Sequence, residues 1–310
     1  MYDSTKPTKK KVLQLIKSTW KTPYLSIKEN TYSIFKKKFN YYEVDHTDGI
    51  GTKGIYHWQK RTFKNAVLDA LAMNLNDLAI VRAVPYKLQN HIVLPKDDNE
   101  AVLEIISALV KECKKYKIAI TGGETSIHDT SDGLDIGITC SGFIKKPAKN
   151  KFRRNDVLIG LASSGLHSNG ITKVREVFKD QFRNEFIEPT RIYLNDILEI
   201  ADKYPVGGMM HITGGGFTKL KDLLDGTDAI ITRGHTLAPQ KIFFELYNSG
   251  ISDGEMYKTF NCGIGFVLSI PKSKVSAVLK EINGQVIGEI ITGTGKVKIQ
   301  SKFSNKEVTY

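Results

Sequence analysis

The most informative stretch of this sequence is residues 47–53, Thr-Asp-Gly-Ile-Gly-Thr-Lys. It follows directly on 41–47, whose pattern predicts a β-strand, so a tight turn with two charged side chains lies at the end of a strand. Asp48 and Lys53 fit metal–phosphate chemistry, in which the carboxylate holds a divalent cation and the ammonium binds a phosphate oxygen. A tight turn whose charges are solvated is an equally good interpretation of the stretch taken alone.

The same glycines also satisfy the pattern of a dinucleotide-binding turn. Gly49, Gly51 and Gly54 have G-x-G-x-x-G spacing, and Asp69 lies about 20 residues beyond the first of them. That fingerprint requires small residues that open a helix against a pyrophosphate, whereas here an acid precedes the turn and Lys53 lies inside it. We therefore do not predict a dinucleotide site.

Outward from this turn, strands and helices alternate along the chain. Apolar residues at helical spacing are separated by short apolar runs that are typical of strands. The alternation predicts an α/β or α+β fold. We predict strands over 41–47, 91–94, 118–121, 134–144, 157–161, 229–232, 265–270, 286–290 and 296–299, and helices over 63–83, from Asp97 or Asp98 through Val110, and over 173–186, 191–203, 220–224 and 275–282.

The length of 310 residues predicts about two domains. Segment 145–154 is polar and basic and contains a proline, which is typical of a linker. It separates a predicted N-terminal α/β domain, 41–147, from a C-terminal α/β domain, 155–310. Residues 1–40 contain ten lysines and two acids. We interpret them as an arm, or as a short helix followed by an extended stretch. We expect their charge to be solvated and the segment to be dispensable for folding, because few of them form a face that could join a core.

The charge and composition exclude several classes of protein. The net charge of +12 raises the question of a nucleic acid or an anionic membrane as partner. Most of that charge lies in 1–40, so the rest of the chain is nearly balanced and a nucleic-acid partner is not predicted. No apolar stretch is long enough for a membrane helix, and we identify no secretion signal. Three cysteines without a C-x-x-C pair predict neither disulfides nor a zinc site, and a cytoplasmic location follows.

Two further acids complete a possible magnesium site. Asp77 falls inside an otherwise apolar helical window, where a buried carboxylate needs a partner such as a metal. The alternative is a helix that ends near Leu75, with Asn76 and Asp77 as caps. Glu124 follows Gly-Gly at the end of a predicted strand, on a loop. Together with Asp48, these acids form a candidate oxygen-ligand set for Mg²⁺.

Two Ser/Gly-rich loops in the second half are candidate anion sites. Residues 163–170, Ser-Ser-Gly-Leu-His-Ser-Asn-Gly, join a strand to a helix, and 211–216, His-Ile-Thr-Gly-Gly-Gly, repeat the arrangement. Both place backbone N–H groups at a helix N-terminus, although ordinary turn chemistry is an alternative. Residues 252–255 have capping-box spacing and are interpreted as structural. The five other histidines show no metal-ligand spacing and are interpreted as packed or surface residues.

Taken together, these motifs resemble one known family, phosphoribosylformylglycinamidine cyclo-ligase, also called aminoimidazole ribonucleotide synthetase. They occur in the order of that family, and the resemblance runs from about Val44 to Ile290. The motifs that carry it are 47–53, Asn76-Asp77-Leu78, Gly122-Gly123-Glu124-Thr125, 163–170, Pro189-Thr190-Arg191-Ile192-Tyr193, 211–216 and Met256-Tyr257-Lys258-Thr259-Phe260-Asn261-Cys262-Gly263.

The resemblance implies an enzyme of purine biosynthesis that uses ATP and Mg²⁺ to close an imidazole ring on a small ribonucleotide substrate. It also implies a two-domain fold and a homodimer whose N-terminal sheets join. By match to the motifs, the resemblance assigns four sets of residues. The nucleotide would be bound by Asp48, Gly49, Gly51, Thr52, Lys53, Asn76, Asp77, Gly123 and Glu124, and the metal by Asp48, Asp77 and Glu124. The substrate would be bound by Ser163, Ser164, Gly165, His167, Ser168, Asn169, Gly170, Thr213, Gly214 and Gly215, and catalysis would depend on Lys53, Asp77, His167 and His211.

The sequence departs from the family pattern in two places. The Tyr-x-x-Ala-Gly-Val-Asp stretch that usually precedes the Thr-Asp-Gly turn is missing from 1–43, and Ser-Ile-His-Asp at 126–129 replaces Ala-Glu-Met-Pro. The alternatives are related ATP-using enzymes, namely selenophosphate synthetase, thiamine-monophosphate kinase and a hydrogenase maturation factor, or a basic binding protein on the same fold. No cysteine precedes Cys113 and the chain ends in Tyr310, which argues against the first and third enzymes.

Overall fold

The computed structural model describes residues 8–310. By contacts within the chain, the protein divides into two compact units, Met1–Lys146 and Pro147–Tyr310. The division falls inside the basic segment 145–154. Both units mix helices with a β-sheet, so the α/β prediction is confirmed. Among the helices of residues 8–310, none combines the length and hydropathy that crossing a bilayer requires.

The N-terminal unit contains a hairpin and a four-stranded sheet. Its elements are α1 (Thr8–Lys17), β1 (Leu25–Lys28), β2 (Ile34–Lys37), β3 (Tyr42–Gly49), α2 (Gly54–Lys60), α3 (Phe63–Ile80), β4 (Val84–Leu94), α4 (Asn99–Tyr116), β5 (Ala119–Ile127) and β6 (Asp135–Ile144). Strands β1 and β2 pair with each other, and the main sheet has the order β3-β6-β4-β5. Only the pairing of β4 with β5 is parallel.

One face of this sheet is covered by helices. Helix α3 contacts β3, β4 and β6, and α4 contacts α3 and β5. Alternation along β6 turns Ile136, Ile138 and Cys140 toward the helices, and all three are fully buried. Helix α4 begins as predicted, because the Asp98 carboxylate accepts a hydrogen bond from the Ala101 N–H at 2.9 Å. The other face of the sheet is therefore the one on which β1 and β2 can pack.

Within the described residues 8–40, α1 followed by the strands β1 and β2 agrees with the predicted short helix and extended stretch, but the expectation that the segment joins no core is wrong. Leu25 is 1% exposed and packs in a cluster with Tyr86, Ala119 and Phe143. The Trp20 indole N–H also donates a hydrogen bond to the Ile120 carbonyl at 2.9 Å. The physical reason is a short period-two pattern in β1, where Leu25 and Ile27 turn inward while Ser26 and Lys28 are exposed. Residues 1–7 lie outside the described part.

The C-terminal unit is built on a seven-stranded sheet in the order β13-β12-β9-β11-β7-β10-β8. Its elements are β7 (Asp156–Ala162), α5 (Ile171–Phe178), α6 (Leu194–Lys203), β8 (Met209–His211), β9 (Thr227–Ile231), α7 (Lys241–Asn248), α8 (Asp253–Thr259), β10 (Ile264–Pro271), α9 (Val275–Glu281), β11 (Gly284–Thr292), β12 (Val297–Gln300) and β13 (Glu307–Thr309). Strand β7 lies between β10 and β11, and only β12 and β9 pair in parallel.

Three sequence predictions about local structure need correction. The predicted helix 173–186 ends at Phe178, because Lys179 takes a positive φ of 49°. Residues Gly216–Leu223 form a 3₁₀ helix where an α-helix was expected after the glycine turn. The strand predicted over 118–121 runs on as β5 to Ile127, because its parallel pairing with β4 continues through both glycines. Glu124 therefore lies within a strand and not on a loop.

Candidate functional site

In the N-terminal unit, Asp48 and Asp77 lie where the end of β3 meets the last turns of α3. The Asn74 amide nitrogen donates to the Asp48 backbone carbonyl at 3.2 Å and to the Ala70 carbonyl at 2.9 Å. Helix α3 continues to Ile80, so Asp77 belongs to its last turn and the interpretation of Asn76 and Asp77 as caps is wrong. The Asp48 carboxylate accepts a hydrogen bond from the Gly49 N–H at 2.7 Å.

His46 contacts Asp77 and lies close enough to Asp48 to feel its charge. Its Nδ1 lies 3.1 Å from Asn74 Oδ1, and its Nε2 lies 3.3 Å from Asp77 Oδ2. Because the Asn74 nitrogen already donates to two carbonyls, its oxygen must accept, so Nδ1 carries a proton. A proton on Nε2 as well gives the imidazolium that faces the carboxylate. The hydrogen bond to Asp77 accordingly raises the pKa of His46, as do the Asn74 contact and the charges of Asp77 and Asp48, against the opposing effect of burial.

Lys53 is fully buried in the N-terminal unit. Its ammonium lies 3.0 Å from Asp69 Oδ1 and 2.9 Å from Asp69 Oδ2. His57 Nε2 donates to the same carboxylate at 2.8 Å, while its Nδ1 lies 2.8 Å from the Thr62 hydroxyl. The side chains of Lys53, His57 and Asp69 are all 0% exposed. This buried triad orders the segment after the glycine turn, so Lys53 does not present a free cation to a phosphate.

Glu124 lies away from the other two acids. Strands β3 and β5 are the two edges of the four-stranded sheet, so three interstrand spacings, about 14 Å, separate them. The register pairs Glu124 with His91 and His91 with Gly137, whereas Asp48 pairs with Ile138, so Glu124 and Asp48 point to opposite faces. The prediction that Asp48, Asp77 and Glu124 form one metal-ligand set is therefore wrong within this unit.

The two remaining acids, Asp48 and Asp77, can supply part of the ligand set of a Mg²⁺ ion. Mg²⁺ is usually held by one or two carboxylates together with phosphate oxygens and water. Asp48 and Asp77 provide two carboxylates, both close enough to His46 to raise its pKa. Among residues 8–310, no cluster of three or more His, Cys, Asp or Glu side chains could hold a metal by itself. A cation at this site would therefore need oxygens from a bound ligand.

In the C-terminal unit, the two Ser/Gly-rich loops come together. His167 from the first loop and His211 from the end of β8 are fully buried, and their ring centroids lie 6.2 Å apart. Tyr193 lies 6.3 Å from the first ring and 6.2 Å from the second, and its hydroxyl donates to the Ala162 carbonyl at 2.7 Å. Burial raises the pKa of Tyr193 above its usual range, so the hydroxyl stays protonated.

The first loop is shaped by its own side chains. His167 has a positive φ of 60°, and its Nε2 accepts a hydrogen bond from the Ser164 N–H at 3.2 Å. The nitrogen that accepts carries no proton, so this contact favours a positioning function for His167 over proton donation from Nε2. The Asn261 amide donates to the Gly165 carbonyl at 2.8 Å and to the Leu166 carbonyl at 3.3 Å. These hydrogen bonds fix the backbone at the centre of the loop.

The second loop contains a tight turn that requires glycine. The Gly216 N–H donates to the Thr213 carbonyl at 2.7 Å, and Gly215 has φ 83° and ψ −9°, the third-position values of a type II turn. Gly216 has φ 52°, and a Cβ on it would lie 2.2 Å from the Tyr257 carbonyl oxygen. The turn leaves Gly214 and Gly215 exposed beside the buried Thr213.

Comparison with known proteins decides the family. Residues 35–144 match the family model "AIR synthase related protein, N-terminal domain", and residues 153–300 match "AIR synthase related protein, C-terminal domain". A phosphoribosylformylglycinamidine cyclo-ligase of Saccharolobus solfataricus is 34% identical over 92% of this chain and 89% of its own length. The chain belongs to the AIR synthase family. Another cyclo-ligase, from Clostridium perfringens, is 35% identical over 78% of each chain.

Solved structures with the AIR synthase fold resemble the chain at lower identity. Hydrogenase maturation protein HypE in complex with ATP is 14% identical, with a TM-score of 0.71 over 99% of this chain and 95% of its own. Thiamine-monophosphate kinase from Stenotrophomonas maltophilia is 13% identical, with a TM-score of 0.69 over 97% and 98%. At such identities the likeness shows the fold alone. The N-terminal AIR synthase match contains Asp48 and Asp77, and the C-terminal match contains both loops.

The structure also identifies neighbours to which the sequence interpretation gave no function. His46 and Asn74 contact the predicted acids. Tyr193 and Asn261, which lie in two motifs of the family resemblance, contact the predicted loops. A signal existed for the first pair, since His46 precedes Asp48 by two positions on one strand and Asn74 precedes Asp77 by three positions on one helix. No comparable spacing could place Asn261, which is about 95 residues from the carbonyls that it binds.

Proposed function

We propose that this protein catalyses the ATP-dependent ring closure of formylglycinamidine ribonucleotide to aminoimidazole ribonucleotide, with release of ADP and phosphate. This is the reaction for which its cyclo-ligase relatives are named. The observation that carries the proposal is the presence, in one chain of the AIR synthase family, of the Asp48–Asp77 pair and of the two converging loops. The carboxylate pair can hold a divalent cation that would neutralise phosphate charge, and the two loops can hold an anionic substrate.

The reaction asks mainly for positioning and charge neutralisation. The formamide oxygen attacks the γ-phosphorus of ATP and ADP leaves, which gives a phosphate ester. The amidine nitrogen then attacks the activated carbon, the C–O bond breaks with loss of phosphate, and a proton leaves the ring. Asp48 and Asp77 would hold a Mg²⁺ ion, which would supply charge neutralisation on the ATP phosphates when bound. His46 orients Asp77 through the contact between Nε2 and the carboxylate.

The other site residues take supporting functions in this proposal. Gly49, Gly51 and Thr52 would bind the nucleotide beside Asp48. Asn76 is fully buried and would support this side from within the helix, while Lys53 positions the turn from within the core. His167 and His211 shape the substrate side, with Ser163, Ser164, Ser168 and Asn169 as polar groups around the first loop. Glu124 and Gly123, on the far strand of the sheet, are not assigned to the metal.

We also propose a homodimer in the cytoplasm. Within residues 8–146, helices α3 and α4 cover one face of the sheet, and the edge strands β3 and β5 each offer one side for further pairing. Exposed Thr47 and Glu124 lie on the face away from the helices. All three cysteines are buried free thiols, which suits a reducing compartment. Sedimentation velocity at several protein concentrations tests the dimer, and a monomer at all of them contradicts it.

One assay tests the activity. Purified protein with ATP, Mg²⁺ and formylglycinamidine ribonucleotide should produce the aminoimidazole product, and absence of product contradicts the proposal. The Asp77→Asn variant should lower kcat by about 100-fold or more, since charge neutralisation in the transition state is lost. Glu104→Gln, an exposed carboxylate on α4, is the matched control and should leave kcat unchanged. Equal losses of activity and thermal stability in Asp77→Asn would show a structural function instead.

A further inference from the structure

Lys219 lies over the glycine turn of the C-terminal unit. It follows the turn by three residues in the 3₁₀ helix Gly216–Leu223, and its ammonium donates to the Thr213 hydroxyl at 2.9 Å. A Cβ on Gly215 would lie 3.4 Å from Lys219 Cγ, so the lysine stem crosses the turn itself. The half-buried lysine therefore places a positive charge beside the exposed backbone of Gly214 and Gly215.

The charge of Lys219 is not compensated within the described chain. Other lysines of the C-terminal unit have carboxylate partners, since Lys173 lies 2.5 Å from Glu176 and Lys258 lies 3.9 Å from Glu255. Among residues 8–310, Lys219 has no carboxylate within ion-pair distance, and the Thr213 hydroxyl that it binds is neutral. A half-buried ammonium without a counter-charge is a strong attractor for an anion.

An unsatisfied amide lies at the same turn. Asn169 is 9% exposed, and its Nδ2 has no hydrogen-bond partner in the described structure. Its Oδ1 lies 3.8 Å from the Cβ position of Gly214, so the amide is next to the turn on the side of the first loop. A buried donor without a partner costs about 1–3 kcal/mol, and a bound ligand would remove that cost.

We propose that Lys219, Asn169 Nδ2 and the Thr213 hydroxyl bind the phosphate monoester of the ribonucleotide substrate at this turn. Lys219 supplies charge, Asn169 supplies a directed donor, and Gly214 and Gly215 let the phosphate approach the backbone closely. The subsite rests on the proposed function for the identity of the substrate. It makes Lys219 the residue by which the enzyme selects a phosphorylated substrate over the free nucleoside.

The test compares Lys219→Gln with Lys221→Gln, an exposed lysine two residues further on. Inorganic phosphate and ribose 5-phosphate should raise the melting temperature of the wild type and of Lys221→Gln but not of Lys219→Gln. The KM for the ribonucleotide should rise about 10- to 100-fold in Lys219→Gln with kcat nearly unchanged, because one charge-assisted hydrogen bond is lost. Lys219→Arg, which keeps the charge, should recover most of the affinity.

Three outcomes would overturn this assignment. A wild-type protein that does not respond to phosphate has no such subsite, and equal behaviour of Lys219→Gln and Lys221→Gln removes Lys219 from it. A rise in the KM for ATP with an unchanged KM for the ribonucleotide assigns the charge to the nucleotide polyphosphate. If phosphate binding depends on Lys219 but the protein forms no aminoimidazole product, the subsite is supported and the proposed function is refuted. The two failures are therefore distinguishable.

Discussion

Replacing Asp69 with asparagine should unfold the N-terminal unit at much milder conditions, without touching any atom that contacts a ligand. The Asp69 carboxylate binds the Lys53 ammonium and accepts a hydrogen bond from His57, and all three side chains are fully buried. An asparagine oxygen still accepts from His57, but the charge of Lys53 is no longer balanced.

The magnitude follows from burial. Removing one partner of a buried ion pair costs about 3–5 kcal/mol, because the remaining charge stays in a low-dielectric environment. A domain is stabilised by only about 5–15 kcal/mol, so the loss is a large part of the total. For a unit of this size it corresponds to a fall in Tm of roughly 6–20 °C. Glu29→Gln, which breaks an exposed pair with Lys17, should cost less than about 1 kcal/mol.

Urea unfolding followed by tryptophan fluorescence measures both variants, since Trp20 and Trp58 both lie in the N-terminal unit. A loss of less than about 1 kcal/mol in Asp69→Asn would refute the reasoning. The double variant Lys53→Met/Asp69→Asn should recover most of the stability, because it removes the unbalanced buried charge and keeps an oxygen that accepts the hydrogen bond from His57. If that variant were stable but inactive, Lys53 would act in the chemistry and not only in the core.

Three further predictions address other parts of the molecule. Leu25→Ala should lower the free energy of unfolding, measured by urea denaturation, by about 2–5 kcal/mol. A change below about 0.5 kcal/mol would instead support the interpretation of this segment as a solvated arm. The raised pKa of His46 implies stabilisation that is complete below pH 6.5 and lost as pH rises through the higher folded-state pKa, so wild-type stability should fall across that range and His46→Gln stability should not. Gly216→Ala should cost more than about 2 kcal/mol by calorimetry, since its Cβ would meet a carbonyl at 2.2 Å, whereas Gly234→Ala, with open space around it, should be nearly neutral.

The fold class could be predicted from the sequence because apolar periodicity is a local property. The helix that begins after Asp98 and the strand over 41–47 are encoded in a few adjacent residues, and both are confirmed. The predicted tight turn is wrong at Thr47, Asp48 and Gly49, which lie within β3. The hairpin of β1 and β2 was missed, because strands of four residues among many lysines give little periodic signal. Its burial depends on Phe143 and Tyr86, which lie far away in the sequence.

The candidate site could be predicted where its residues are close in sequence. It could not be predicted where the pairing of strands decides how far apart the side chains lie. The position of Asp77 relative to Asp48 follows from one strand and one helix. The position of Glu124 depends on the strand order β3-β6-β4-β5, which no local pattern gives. In the same way, the burial of Lys53 required knowledge that Asp69 and His57 surround its ammonium. A charged residue in a motif therefore says little about whether its charge reaches solvent.

The central position of β7 in the C-terminal sheet has a consequence for synthesis of the chain. Strand β7 is made first, but its neighbours β10 and β11 begin about 100 residues later. At about 5–20 residues per second, a ribosome needs roughly 5–20 s to produce the first of them. During that interval the apolar side chains of Leu158, Ile159 and Leu161 have no sheet to enter. Nascent chains of this protein are therefore expected to need shielding by a chaperone before the second half can collapse.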